Sequence, residues 1–242
     1  NIHEVEKEQI ISLVKREVVP AIGCTEPISV ALCVAKAAEI LGTLPVNIEA
    51  HLSANILKNA MGVGIPGTGM IGLPIAIALG ALIGKSSYEL EVLKDCTPDD
   101  VERGKQLIEQ QAIHISLKEN IEEKLYIEVV CEAEGKRSTA IISGGHKDFV
   151  YLAVDDNVLL DKRTASVAEK SEQDPELNLR KVYDFAMETP LEEISFILET
   201  KRLNMAAAEL ALNGDYGHGL GKTLQCNMQR HIMGDNTFAH IL

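Results

Sequence analysis

LYIEVVCEAEGKRSTAIISGGHKDFVYLAV, residues 125–154, decides the fold class. Three runs rich in β-branched and aromatic side chains (125–133, 138–142 and 149–154) are separated by short polar or glycine-containing breaks, which is how strands read in sequence. Glu134-Gly135 and Asp155-Asp156-Asn157 stand where hairpin turns are needed, and such residues accept the positive φ of tight turns. Just upstream, 113–117 is a fourth strand-like run. Before it, 98–111 reads as a helix whose Asp99 and Asp100 suit the positive end of the helix dipole. A helix plus an antiparallel meander is an α+β unit.

Toward the N-terminus the texture is helical. Residues 4–19 carry Val5, Ile10, Leu13, Val14 and Val18 near the 3.6 period, and Pro20 stops them. Residues 28–41 form a mostly apolar helix ending at Gly42, and 47–53 alternates as a strand. No charge occurs between Lys58 and Lys85. Seven glycines, Pro66 and Pro74 interrupt that stretch, so it reads as a buried glycine-rich loop and core helix (70–83) and not as a membrane span. The expected organisation is a helical region over 1–90 with the glycine-rich loop, and a helix-and-antiparallel-meander subdomain over 91–165. A linker over 166–190 follows, suggested by the polar stretch 161–180, and 191–242 opens a further helical domain.

Composition narrows the partners. The 242 residues hold 36 Asp and Glu against 23 Lys and Arg, a formal charge of −13. Such a surface repels phosphate backbones and anionic lipid. Without Trp, and with 4% aromatics, it offers no base-stacking platform. The expected ligand is a small molecule, with no nucleic acid, no membrane, and a homo-oligomer left open. Cys24, Cys33, Cys96, Cys131 and Cys226 are scattered, without a C-x-x-C pair. Free thiols and a polar N-terminus without a secretory signal point to the cytoplasm.

Gly62-Val-Gly64-Ile-Pro-Gly67 matches G-x-G-x-x-G, but the preceding residues do not read as a strand and no acidic residue follows until Glu89. Both depart from a dinucleotide site. What remains is a backbone whose N–H groups can hold a small carboxylate. The stretches from Gly80 to Ser86 and from Gly217 to Thr223 each have three residues between the glycines where a P-loop has four. Cys24 lies in a loop just before a helix, which lowers a thiol's pKa, and Glu26 is within reach as a proton acceptor. An inert buried cysteine beside Pro27 is the other reading. Cys33, Cys96 and Cys131 read as structural. His146 closes the strand-end turn Ser143-Gly144-Gly145. His218, His231 and His240 lack metal-ligand spacing.

Four blocks together resemble one family: G-C-T-E-P at 23–27, N-I-L-K-N at 55–59, the glycine-rich run 62–74, and S-G-G-H at 143–146. In order and spacing they are similar to the UPF0597 / L-cysteine desulfidase family, related to the iron–sulfur L-serine dehydratase alpha chain. The resemblance implies a β-eliminating lyase that converts L-cysteine or L-serine to pyruvate, ammonia, and sulfide or water. It implies a [4Fe–4S] cluster held by three cysteines, of which Cys24 is one. The family is about twice this length, so the resemblance makes this chain an N-terminal portion that is inactive alone and forms no stable cluster. Ser53, Asn55, Lys58, Asn59, Gly67, Thr68 and Gly69 are the expected carboxylate-binding groups, and either Glu26 or His146 is the base. The bland readings are a solvated charge for Lys58, a cap for Asn59 and an N-terminal acid for Glu26. Two rivals stand beside the lyase. One is an amino-acid-binding or regulatory module built on the meander. The other is a thiol hydrolase, which needs a histidine beside Cys24.

Overall fold

The computed structural model describes residues 3–163 and 174–229. In chain order the helices are α1 (Glu4–Glu17), α2 (Thr25–Leu41), α3 (Ala54–Ala60), α4 (Leu73–Ile83), α5 (Pro98–Glu109), α6 (Leu179–Glu188), α7 (Leu191–Ile194), α8 (Leu198–Asn213) and α9 (Leu220–Gln229). The strands are β1 (Asn47–Leu52), β2 (Gly64–Ile65), β3 (Met70–Ile71), β4 (Ile113–Leu117), β5 (Tyr126–Ala133), β6 (Lys136–Ser143), β7 (Phe149–Val154) and β8 (Asn157–Asp161). They fall into two compact units, Val18–Glu172 and Asn1–Glu17 with Gln173–Leu242.

The first unit is α+β, built on a six-stranded sheet in the order β4-β1-β5-β6-β7-β8. The hairpin turns fall where the sequence puts them. Glu134 and Gly135 both have positive φ, 54° and 75°, as the tight turn between Ala133 and Lys136 requires. One expectation is corrected: 113–117 does not extend the meander. β4 pairs in parallel with β1, and β1 lies between β4 and β5. The alternation of β1 buries Ile48, Ala50 and Leu52, and that face packs wherever the helices are. Pattern fixes the face but not the neighbour. A division near residue 90 is corrected by the same pairing, because stretches on both sides of it share one sheet and one core.

α2 and α4 form the helical layer. α2 packs against β5 and β6 and against α4, with Val30, Ala31, Leu32, Cys33 and Val34 fully buried. At Gly80 of α4 a Cβ would stand 2.6 Å from the Ala31 carbonyl oxygen, so the two backbones touch there. α5 starts with a capping box: Thr97 Oγ1 accepts from the Asp100 N–H, and Asp100 Oδ2 accepts from the Thr97 N–H at 3.0 Å. The glycine-rich loop is not buried as expected. Gly62, Gly64, Pro66, Gly67 and Gly69 are exposed, and only Ile65 and Gly72 sink into the core. Loop amides without ladder partners are hydrated there.

In the second unit the helical stretch that opens at 191 is built from α7, a 3-10 turn at Ser195–Ile197, and α8. Part of the expected linker is helical: α6 begins at Leu179, capped by Asn178, whose side-chain oxygen accepts from the Lys181 N–H at 3.0 Å. Residues 166–173 of that linker lie outside the described residues, as do His231 and His240. Lys7 is nearly buried and bridges Glu4 and Glu193, each at 2.7 Å. Among the described residues no helix is long and apolar enough to cross a membrane.

Candidate functional site

Three stretches far apart in sequence meet at the N-terminal end of α2. Gly23, at φ +85°, carries the chain over the tip of the β2–β3 hairpin; a Cβ there would stand 2.7 Å from Pro66 Cγ. Cys24 is extended and immediately precedes the helix, yet its side chain caps no helical N–H. Its thiol donates instead to Glu26 Oε2 at 3.0 Å. Thr25 Oγ1 donates to the same oxygen at 3.3 Å. The other carboxylate oxygen, Oε1, lies 4.0 Å from His146 Nε2. Glu26 therefore stands between thiol and imidazole.

The backbone that carries His146 is anchored to α2 and to the sheet. Ser29, fully buried one turn into α2, donates its hydroxyl to the His146 carbonyl at 2.5 Å. Gly144, at φ 86° in the same turn, donates its N–H to the Leu125 carbonyl at 3.0 Å. Lys147 then pairs with Glu89 at 2.8 Å, and Glu89 holds a left-handed φ of 50°. Ser29 and Glu89 were not singled out in the sequence. The signal for Ser29 was there: a lone hydroxyl in an otherwise apolar helix needs a buried acceptor.

The electrostatics run against the expectation for a thiol at a helix N-terminus. Burial first, and then the Glu26 carboxylate, push the Cys24 thiol above its ordinary value. Correspondingly, the thiol's hydrogen bond, aided by Thr25 and His146, holds Glu26 below the usual carboxylate range despite its partial burial. At rest the proton sits on sulfur and the charge on Glu26. Ionising Cys24 requires that Glu26, or a group beyond it, take the proton. Burial also pushes Cys33 well up and Cys131 up to about 12, consistent with inert core thiols.

The hairpin tip is a closed turn. Thr68 Oγ1 donates to the Ile65 carbonyl at 2.6 Å and accepts from the Met70 N–H at 2.9 Å. Gly67 and Gly69 flank it at φ 78° and 65°. The threonine hydroxyl thus serves the turn, and the exposed backbone of Gly67 and Gly69 is what faces outward.

The remaining sequence candidates lie on and around α3. Ser53 is buried, donates to the Lys124 carbonyl at 2.8 Å, and accepts from the Tyr126 N–H. Lys58 is exposed and Asn59 half-buried. Ser53 and Asn55 line a cleft of about 540 Å³ with residues 117–124, a cleft in which Cys24, Glu26 and His146 take no part. Candidates nominated together thus separate into two places. Among the described residues no three His, Cys, Asp or Glu side chains converge as a metal site.

No family model matches the chain, and no solved structure matches it. Relatives found by sequence do. It is 69% identical over 238 residues to a UPF0597 protein of Phocaeicola vulgatus, which covers 98% of this chain and 55% of the relative. A UPF0597 protein of Bacteroides fragilis is 67% identical, over 99% of this chain and 56% of its own length. One of Porphyromonas gingivalis is 44% identical, over 98% and 56% respectively. The chain therefore spans little more than half the length of these relatives. At 44–69% identity along nearly all of its residues, it belongs to the UPF0597 family.

Proposed function

We propose that the chain contributes the Cys24 end of an iron–sulfur-dependent lyase that eliminates the β-substituent of L-cysteine or L-serine. The observation that carries the reading is the Cys24–Glu26–His146 line, a thiol with a proton acceptor in contact and a second base behind it. The described residues fit such a cluster in part: Cys24 supplies one thiolate, and the remaining ligands come from elsewhere. When bound, the cluster supplies a Lewis acid for the leaving sulfur or oxygen. Glu26 takes the proton that Cys24 gives up. His146 is then placed to accept a proton from the substrate's α-carbon. The amides of Gly67 and Gly69 supply donors for the substrate carboxylate.

The test is anaerobic reconstitution with iron and sulfide, applied to this chain and to the full-length Phocaeicola vulgatus relative. Pyruvate and sulfide are assayed from L-cysteine, and pyruvate from L-serine. The lyase reading expects turnover in the relative that vanishes when the cysteine aligned with Cys24 becomes alanine, and no stable cluster absorbance in this chain alone. Turnover indifferent to that cysteine would overturn it.

A second reading, an amino-acid-binding module, is favoured by the cleft at Ser53 and Asn55, whose volume suits a small polar ligand. Calorimetric binding of L-cysteine or L-serine that Asn55→Ala abolishes and Cys24→Ala leaves intact would select it.

A further inference from the structure

α8 is a helix without an inside. Its sixteen residues include none that is buried. Yet its sequence, LETKRLNMAAAELALN, is not that of a solvated helix. Leu203 and Leu210, seven residues apart, fall on one side with Ala207 and Ala211. Leu198, Met205 and Leu212, also at intervals of seven, fall on another side with Ala208. Seven residues are two helical turns, so each set is a stripe along the axis. Of the four charged residues, Glu199, Arg202 and Glu209 fall between or beside the stripes, where Glu199 pairs with Arg202, and Lys201 alone lies on the stripe of Leu198 and Met205. Leu198 is 64% exposed and Leu210 60%. α6, in the same unit, adds Leu179 and Met187, each about as exposed or more so.

A helix with one apolar stripe lies on a core; a helix with two is enclosed between layers. Open apolar surface of this extent marks an interface. The relatives name an occupant. They match nearly all of this chain with 55–56% of their own length, so each carries a comparable amount of further polypeptide. A second copy related by a two-fold axis would cover one stripe through its own and leave the other wet. We infer that α8 is a central helix of the full-length UPF0597 architecture, enclosed on both stripes by the polypeptide that these relatives carry outside the matched stretch. The partner surfaces are then apolar and helical, seated against the leucines with the alanines allowing close approach.

The inference does not depend on the lyase reading, and its test does not use activity. Hydrogen exchange by mass spectrometry is run on this chain at two concentrations about tenfold apart and on the full-length Phocaeicola vulgatus relative. The expected result is that the α8 segment exchanges freely in this chain at both concentrations, and at least about 100-fold more slowly in the relative. In the relative, aspartate at the position aligned with Leu210 and, separately, at that aligned with Met205 should each release this protection. Equal exchange in the two proteins would overturn the inference. So would protection in this chain that grows with concentration, which identifies a second copy. Protection in this chain independent of concentration would assign the stripes to this chain's own residues, and would also overturn it.

Discussion

Gly23→Ala tests how the Cys24 loop is held against the hairpin. Gly23 sits at φ +85°, and an L-residue in that left-handed region costs about 1–2 kcal/mol. The added Cβ would stand 2.7 Å from Pro66 Cγ and 2.9 Å from Pro66 Cδ. Two carbons prefer about 3.5–4.0 Å, so loop or hairpin must yield by about 1 Å, and overpacking of this kind costs about 1–3 kcal/mol. The total is about 2–5 kcal/mol. The two contributions separate in a double-mutant cycle. Pro66→Ala deletes the ring carbons, so the double variant should recover the steric part and retain only the φ part. Urea unfolding followed by far-UV circular dichroism gives the energies, and is suited to a chain without Trp. Cys24 alkylation, read peptide by peptide, reports the same displacement at the site as a faster reaction. A cost below about 0.5 kcal/mol for Gly23→Ala, or two substitutions that simply add, would refute the proposed contact.

Gly80→Ala should destabilise by about 1–3 kcal/mol, because its Cβ would meet the Ala31 carbonyl oxygen at 2.6 Å. A rise in Tm, as the helix-propensity gain of about 1 kcal/mol alone would give, would show that the α2–α4 crossing tolerates a side chain. Glu26→Gln removes one of the two influences that hold the Cys24 thiol up, leaving burial; alkylation of Cys24 at neutral pH should therefore speed up, and an unchanged or slower rate would sink that account. Glu128 is driven upward by burial but held below its ordinary 4.5 by hydrogen bonds from Lys118 and Tyr126. Its folded pKa is thus below its unfolded one. The stability it contributes is full above about pH 4.5 and drains away as pH falls through the folded value, so Glu128→Gln should flatten the acid limb of the stability–pH curve.

What was legible in the sequence was local. Glu134-Gly135 specifies its turn through backbone conformation alone, and the apolar run of α2 specifies a buried helix. The partner of β4 was not legible, because the alternation of 113–117 is the same whether its neighbour is β1 or β5. Pairing with β1 is a consequence of how α3, α4 and α5 return the chain to the sheet. Ser53 shows the same limit at the level of a side chain. Nothing local in the sequence names the hydrogen-bond partners of its hydroxyl, which at the end of β1 meets the Lys124 carbonyl and the Tyr126 N–H. The ionisation of Cys24 fails for a related reason: the helix terminus is local, whereas the burial that outweighs it comes from the surrounding fold.

The meeting of residues 23–27, the glycine-rich hairpin and His146 has one cause, the placement of α2. Its side packs on β5 and β6, which brings the turn after β6 to the helix's first residues. Its contact with α4 sets the hairpin just before α4 against Gly23. Ser29 then ties the His146 backbone to the helix that positions Cys24. Thiol, carboxylate and imidazole are consequently referred to a single rigid element although more than a hundred residues separate the first from the last. Such an arrangement ties residues of two loops to one helix, which limits how far they can drift apart. It also makes the assignment of base and ligand a coupled question. While Cys24 is protonated, Glu26 is occupied as its acceptor. Under the proposed lyase reading, the proton leaving Cys24 passes to Glu26, and that assignment would leave His146 as the base.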